Sequence, residues 1–268
     1  MSDTTMAEKG TTNLDTRDIL TLAVEMGDAM LRSGGEIYRV EDICMKILAA
    51  YEVEKYDVYV LSNGIFASAN EGKEDACSIV RHVPLGPVNM ARISALNQLA
   101  RDICNMDCSI IDAWERLEKC KTLPLAPRLV LVLASGFGAG GFAILFGAKL
   151  LEGVVAFGIG ILLQLLLFGF KKYKVARFAG LLLSSMFITT LSITPVALGM
   201  PVMLDKIVIG AIMPLVPGIA LTTSIRDIYN GDYLSGVIHL IDALLTAMCI
   251  AVGVGIVIAM YRSMGGVI

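Results

Sequence analysis

Pro214-Leu215-Val216-Pro217-Gly218 interrupts an apolar run that begins at Ile207 and continues through Leu221-Thr222-Thr223-Ser224 into Arg226-Asp227. The run is long enough to cross a bilayer, which takes about 20 apolar residues for a hydrocarbon core of about 30 Å. Two prolines and a glycine inside it should break the helix at membrane depth, because proline removes an N–H and clashes with the preceding turn. Backbone groups freed there are tolerated only when buried in protein or lining a cavity. Discontinuous helices of this kind build solute sites in transporters. The stretch therefore predicts a membrane transport protein. It nominates Pro214, Pro217, Gly218, Thr222, Thr223, Arg226 and Asp227 as substrate-binding residues.

Working outward, four more runs lack Asp, Glu, Lys and Arg: 129–148, 153–170, 178–204 and 243–261. With 207–225 they predict five transmembrane helices over 129–268. The chain is 56% hydrophobic and 18% charged, against about 45–50% and about 25% for soluble domains. The charge is concentrated in residues 1–128. The expected fold is an α-helical multi-pass membrane protein with an N-terminal soluble α+β domain over 14–128, preceded by a disordered lead-in over 1–13. The lead-in has no basic-then-apolar start, so no cleavable signal peptide is expected. Lys171, Lys172, Lys174 and Arg177 separate the second and third runs, and Lys119, Lys121 and Arg128 precede the first. The positive-inside rule puts these, with Arg226, on the cytoplasmic side and the C-terminus outside.

In the N-terminal part, Ile19, Leu20, Ala23, Val24, Gly27, Met30 and Leu31 give a helical period ended by Ser33-Gly34-Gly35. A second helix carries Val40, Ile43, Cys44, Ile47 and Leu48 on one side. The period then becomes two on either side of Ser62-Asn63-Gly64, where Asn-Gly signals a hairpin. A third strand over 77–83 and helices over 89–104 and 110–119 complete an ααβββαα order.

Catalysis is not expected of this domain. Glu36, Arg39, Glu41 and Asp42 gather at one helix start, where acidic residues complement the helix dipole. His82 beside Arg81 has no nucleophile or orienting group in the pattern. The six cysteines form no CxxC pair and the chain has two histidines, so no metal and no cofactor are expected. Net charge is −3, giving no reason to expect a nucleic-acid partner. A P-loop GxxxxGK[ST] is absent, which leaves ATP-driven transport unsupported.

Polar residues in the later runs complete the candidate site. His239 and Asp242 are three apart and share a helix face. If the fifth helix starts near Tyr233, Asp242 lies roughly 13–14 Å along it and faces a cavity or a partner, where protonation could be coupled to transport. If the span starts at Ala243, Asp242 sits at the interface. Both readings stand on the sequence. Glycines in the first two runs are read as helix-packing positions. Lys149 and Glu152 are expected to pair with each other at the first short turn.

The chain resembles the threonine/serine exporter family, in its split form, over about residues 17–260. The resemblance rests on Ser33-Gly34-Gly35-Glu36 with Arg39-Val40-Glu41-Asp42, and on Asn89-Met90-Ala91-Arg92-Ile93. Further along it rests on Pro214-Leu215-Val216-Pro217-Gly218, Thr222, Arg226-Asp227 and Gly231-Asp232-Tyr233 with Gly236. It implies an exporter of small polar metabolites in the bacterial cytoplasmic membrane, its substrate threonine or serine, or a dicarboxylate such as succinate. Full-length members carry about ten spans. Five spans here imply a second small membrane subunit or a homo-oligomer. The alternatives are a membrane-anchored hydrolase and a ligand-sensing regulatory subunit, both acting through the N-terminal domain.

Overall fold

The computed structural model describes residues 15–84 and 86–266. The lead-in expected over 1–13 lies outside them. The chain divides into two compact units, one running to Leu125 and taking in Asn230–Ser235, the other made of Ala126–Tyr229 and the rest from Gly236.

The first unit runs α1 (Thr16–Arg32), α2 (Ile37–Ala50), β1 (Tyr56–Leu61), β2 (Gly64–Ala69), β3 (Cys77–His82), α3 (Met90–Cys104) and α4 (Ile110–Lys121), in the expected order. Side-chain caps fix three starts: Asp15 accepts from the Arg17 N–H, Asn89 from Arg92 and Ser109 from Asp112. Each satisfies a backbone donor that the helix cannot. After α1, the Gly35 N–H reaches back to the Met30 carbonyl and Gly34 takes φ +84°, closing the helix as the glycine pair predicts.

The three strands form an antiparallel meander in the order β1-β2-β3. Val60, Ile65, Ala67 and Ala69 turn inward and pack with the helices in one core around α1. The hairpin lies where expected but differs in detail. Leu61 pairs with Gly64, so the loop is Ser62-Asn63 and Gly64 belongs to the strand. Both loop residues keep negative φ. The Asn63 carbonyl accepts from the Val83 N–H and Ser235 Oγ accepts from the Ser62 N–H, and these bonds hold the turn in place of the glycine conformation that Asn-Gly usually supplies. Burial pushes the Cys44 thiol up to about 12, so it behaves as a small apolar core residue.

The second unit contains α5 (Arg128–Leu145), α6 (Leu150–Lys172), α7 (Arg177–Ala197), α8 (Leu204–Ile212), a 3-10 turn (Met213–Leu215), α9 (Gly218–Tyr229) and α10 (Tyr233–Ser263). Among the described residues four helices, α5, α6, α7 and α10, are long and apolar enough to cross a membrane. The fifth expected span is not one continuous helix: its two halves, Leu204–Leu215 and Gly218–Tyr229, are bent by 59°. Two apolar runs also overshoot their helices. Gly147 at φ +85° and Gly199 at φ +75° follow the ends of α5 and α7. A hydropathy run does not register such a stop.

Small residues set the spacing. A Cβ on Gly160 of α6 would come 2.6 Å from the Ser135 carbonyl oxygen of α5, so the two backbones touch. Ser135 Oγ also donates to the Gly160 carbonyl at 2.7 Å. Glu152 corrects an expectation. It makes no ion pair with Lys149; at 1% exposed, it accepts from the backbone N–H of Lys149 at 2.6 Å and of Met203 at 2.8 Å. The carboxylate thereby caps α6 and ties it to the segment entering α8.

Candidate functional site

The break between α8 and α9 is set by its residues. Pro214 sits in the 3-10 turn and Val216 leaves it in an extended conformation, as a residue before proline tends to. The Gly218 N–H closes a tight turn to the Val216 carbonyl across Pro217, and the Pro217 carbonyl accepts from the Leu221 N–H to open α9. Leu215 anchors the turn in one buried cluster with Ile159 and Leu163 of α6, Ile188 of α7, Ala211 of α8 and Ile250 of α10. Those α6 and α7 residues lie near the middles of their helices, so the break is level with the centre of the bundle.

On the break's outer side, Pro214 and Gly218 are exposed, Pro217 is half-buried, and the space beside Gly218 is open. A helix N-terminus at this level favours negative charge, because its first N–H groups lack intrahelical acceptors. Thr222 and Thr223 follow on the first turns of α9. Their hydroxyls donate to the carbonyls of Gly218, Ile219 and Ala220, which leaves oxygen lone pairs rather than free donors.

The inner face of α9 is polar: Ser224 and Asp227 are its buried residues, while Ile219, Leu221 and Ile225 point outward. Asp227 Oδ2 meets His239 Nδ1 of α10 at 3.2 Å, with the carboxylate side chain 4% exposed. Gly236 permits this approach, since a Cβ there would fall 2.5 Å from Ile228. Arg226 adjoins the pair in sequence and is half-buried.

Asp242 goes elsewhere. It shares a face with His239 but accepts from both terminal nitrogens of Arg177, Nη1 and Nη2, at 2.7 and 2.8 Å. The structure thus brings Asp227 and His239 together, puts Pro214, Pro217 and Gly218 at the break with Thr222 and Thr223 just after it, and sets Asp242 apart in an ion pair with α7. Sequence reasoning missed three contributors: Arg177, Ser224 on the buried polar face, and Gly236 as the close-approach point. The i+3 spacing of Ser224 and Asp227 would have marked their shared face. Nothing in the sequence joins Arg177 to a residue 65 positions away.

Residues 21–261 match the model of a family described as a putative threonine/serine exporter. Neither the curated proteins nor the solved structures contain a match.

Proposed function

The chain belongs to the putative threonine/serine exporter family, and from that premise we propose that it is a subunit of a secondary exporter in the cytoplasmic membrane. Its cargo is a small polar metabolite carrying a carboxylate: threonine or serine, or a dicarboxylate such as succinate. The observation that carries the reading is the level of the helix break. Leu215 is buried among mid-helix residues of α6 and α7, and Gly218 next to it borders open space. Substrate sites of transporters with discontinuous helices lie near the midplane, with half-helix N-termini aimed at anionic groups.

In this reading the substrate carboxylate meets the N-terminal turn of α9. The helix then leads over nine residues (227 − 218), about 14 Å, to Arg226 and Asp227, with His239 of α10 against Asp227. Asp227 suits an ammonium group and Arg226 a carboxylate, so both cargo classes find a partner at that end. The Arg177–Asp242 pair supports a bilayer boundary there. From Asp242 to Ser263 is 22 residues of α10 (263 − 242 + 1), about 33 Å, close to the hydrocarbon thickness. By the positive-inside rule this end, with Lys171, Lys172 and Lys174, faces the cytoplasm. The outer face of α9 exposes Ile219, Leu221 and Ile225, which suits cover by a second membrane subunit or a second copy.

The test is efflux of labelled threonine, serine and succinate from cells expressing the chain with and without a small membrane subunit, alongside Pro217→Ala. Efflux of one cargo that Pro217→Ala abolishes, at unchanged protein level, supports the reading. Efflux indifferent to Pro217→Ala removes the break from the path.

A further inference from the structure

We propose that the crevice at the α6–α7 turn binds one anionic phospholipid, its phosphate held by Lys171, Lys174 and Arg177 and an acyl chain lying on Leu167, Phe170 and Leu181. The crevice has a volume of about 510 Å³, and no acidic residue lines it. Its lining has two kinds of chemistry: cations from the end of α6, the turn and the start of α7, and apolar side chains of α6 and α7. Such a two-part lining matches a lipid, which carries charge and hydrocarbon in one molecule, better than a free anion. Basic pockets between membrane helices bind anionic headgroups for this reason.

Three observations set this crevice apart from ordinary surface lysines. Lys174 adopts φ +52° and is the only non-glycine residue with positive φ among the described residues of the membrane unit. The comparable turns after α5, α7 and α10 carry Gly147, Gly199 and Gly265 there. A side chain in the left-handed region costs about 1–2 kcal/mol, and here the position holds a cation. The apolar lining has room because Gly180 contributes no side chain to it; a Cβ there would meet Phe170 at 3.5 Å, an ordinary contact. Finally, the charge is in excess. Arg177 is engaged by Asp242 of α10, yet three cations against one carboxylate leave a surplus of two for the phosphate.

The experiment is native mass spectrometry and thermal melting of the full-length chain in the presence of phosphatidylglycerol, phosphatidylcholine with the same acyl chains, or inorganic phosphate. We expect one retained phosphatidylglycerol and a raised melting temperature. The variant Lys171→Gln/Lys174→Gln should weaken retention about 30-fold, at roughly fivefold per surface lysine. Gly180→Leu, which fills the apolar lining and leaves every charge in place, should also abolish retention. Equal retention of phosphatidylcholine overturns the proposal, as does stabilisation by inorganic phosphate alone. Loss on removing the lysines but not on Gly180→Leu also overturns it, because general attraction to a charged surface would then suffice.

Discussion

Arg177 grips Asp242 through two parallel hydrogen bonds, 2.7 and 2.8 Å long, joining the first residue of α7 to the tenth residue of α10. Two-point geometry of this kind fixes both orientation and charge. A carboxylate so held is committed to α7 rather than open to a cargo. Asp242→Asn should therefore leave the efflux rate within about twofold of the parent, since a solvent-accessible pair contributes little. It should lower stability by about 0.2–1 kcal/mol, the range of a solvent-accessible pair, and the exchange Arg177→Asp with Asp242→Arg should restore part of that. Efflux rates of Asp242→Asn and the parent, compared at equal protein level, check it; a loss of tenfold or more would return Asp242 to the transport path.

In the proposed reading Asp227 is the acid that meets the cargo, because it is buried and faces a histidine. Asp227→Asn should reduce efflux about tenfold or more, since a charge-assisted hydrogen bond contributes about 1.5–3 kcal/mol. His239→Gln should lower efflux as well, because it removes the ring nitrogen that meets Asp227 Oδ2 at 3.2 Å. Rates within twofold of the parent for Asp227→Asn would exclude it from the path.

The α5–α6 contact gives a control pair within a single helix. Gly160→Ala drives a methyl group to 2.6 Å from the Ser135 carbonyl, whereas Gly158 has nothing within 4 Å. The first substitution should cost about 1–3 kcal/mol and the second should leave the melting temperature unchanged within error. Thermal melting in detergent distinguishes them, and equal effects would mean the helices are not packed through Gly160.

Glu152→Ala removes the acceptor of two backbone N–H groups at a position sealed from solvent. Each stranded donor costs about 1–3 kcal/mol, so the loss should be about 2–6 kcal/mol. Glu152→Gln keeps one acceptor oxygen and should lose about half as much. Chemical denaturation of the two variants side by side measures the difference.

In the N-terminal unit, Glu25 accepts from Arg81 of β3 and from Lys121 of α4. Burial pushes its carboxyl up, but the hydrogen bond and charge of Lys121, with Arg81 and Arg32, outweigh this and hold it below its usual range. A depressed folded value means stability that is full above the unfolded pKa near 4.5 and lost as pH falls through the folded one. Glu25→Gln should thus destabilise the unit by about 1–2 kcal/mol at pH 7, between surface and buried pairs, with a shrinking difference below pH 4.5. Trp114, the sole tryptophan and packed on this core, reports the transition in the intact chain.

Much of this architecture is legible in the residues because it rests on local patterns. The period of Ile19 to Leu31, the two-residue alternation after Tyr56 and the Pro214–Gly218 interruption each depend on neighbours in sequence. What escaped depends on distance in the chain. Glu152 reads as half of a pair with Lys149 because the Met203 N–H that it takes is 51 residues away. Asp242 reads as an ambiguous acid until Arg177 comes beside it. The hairpin misled in a third way: Asn63-Gly64 has turn chemistry, but bonds from Val83 and Ser235 fixed another residue pair as the loop.

The bond from the Ser62 N–H to Ser235 Oγ also bears on biosynthesis. The N-terminal unit includes Asn230–Ser235, and Asn230 leaves the ribosome 105 residues after Leu125 (230 − 125). At about 5–20 residues per second, that is a wait of roughly 5–20 s. During that interval the nascent domain holds an open seam at its hairpin, which closes only after the helices before α10 have been synthesised. A fragment cut at Leu125 would keep that seam permanently open.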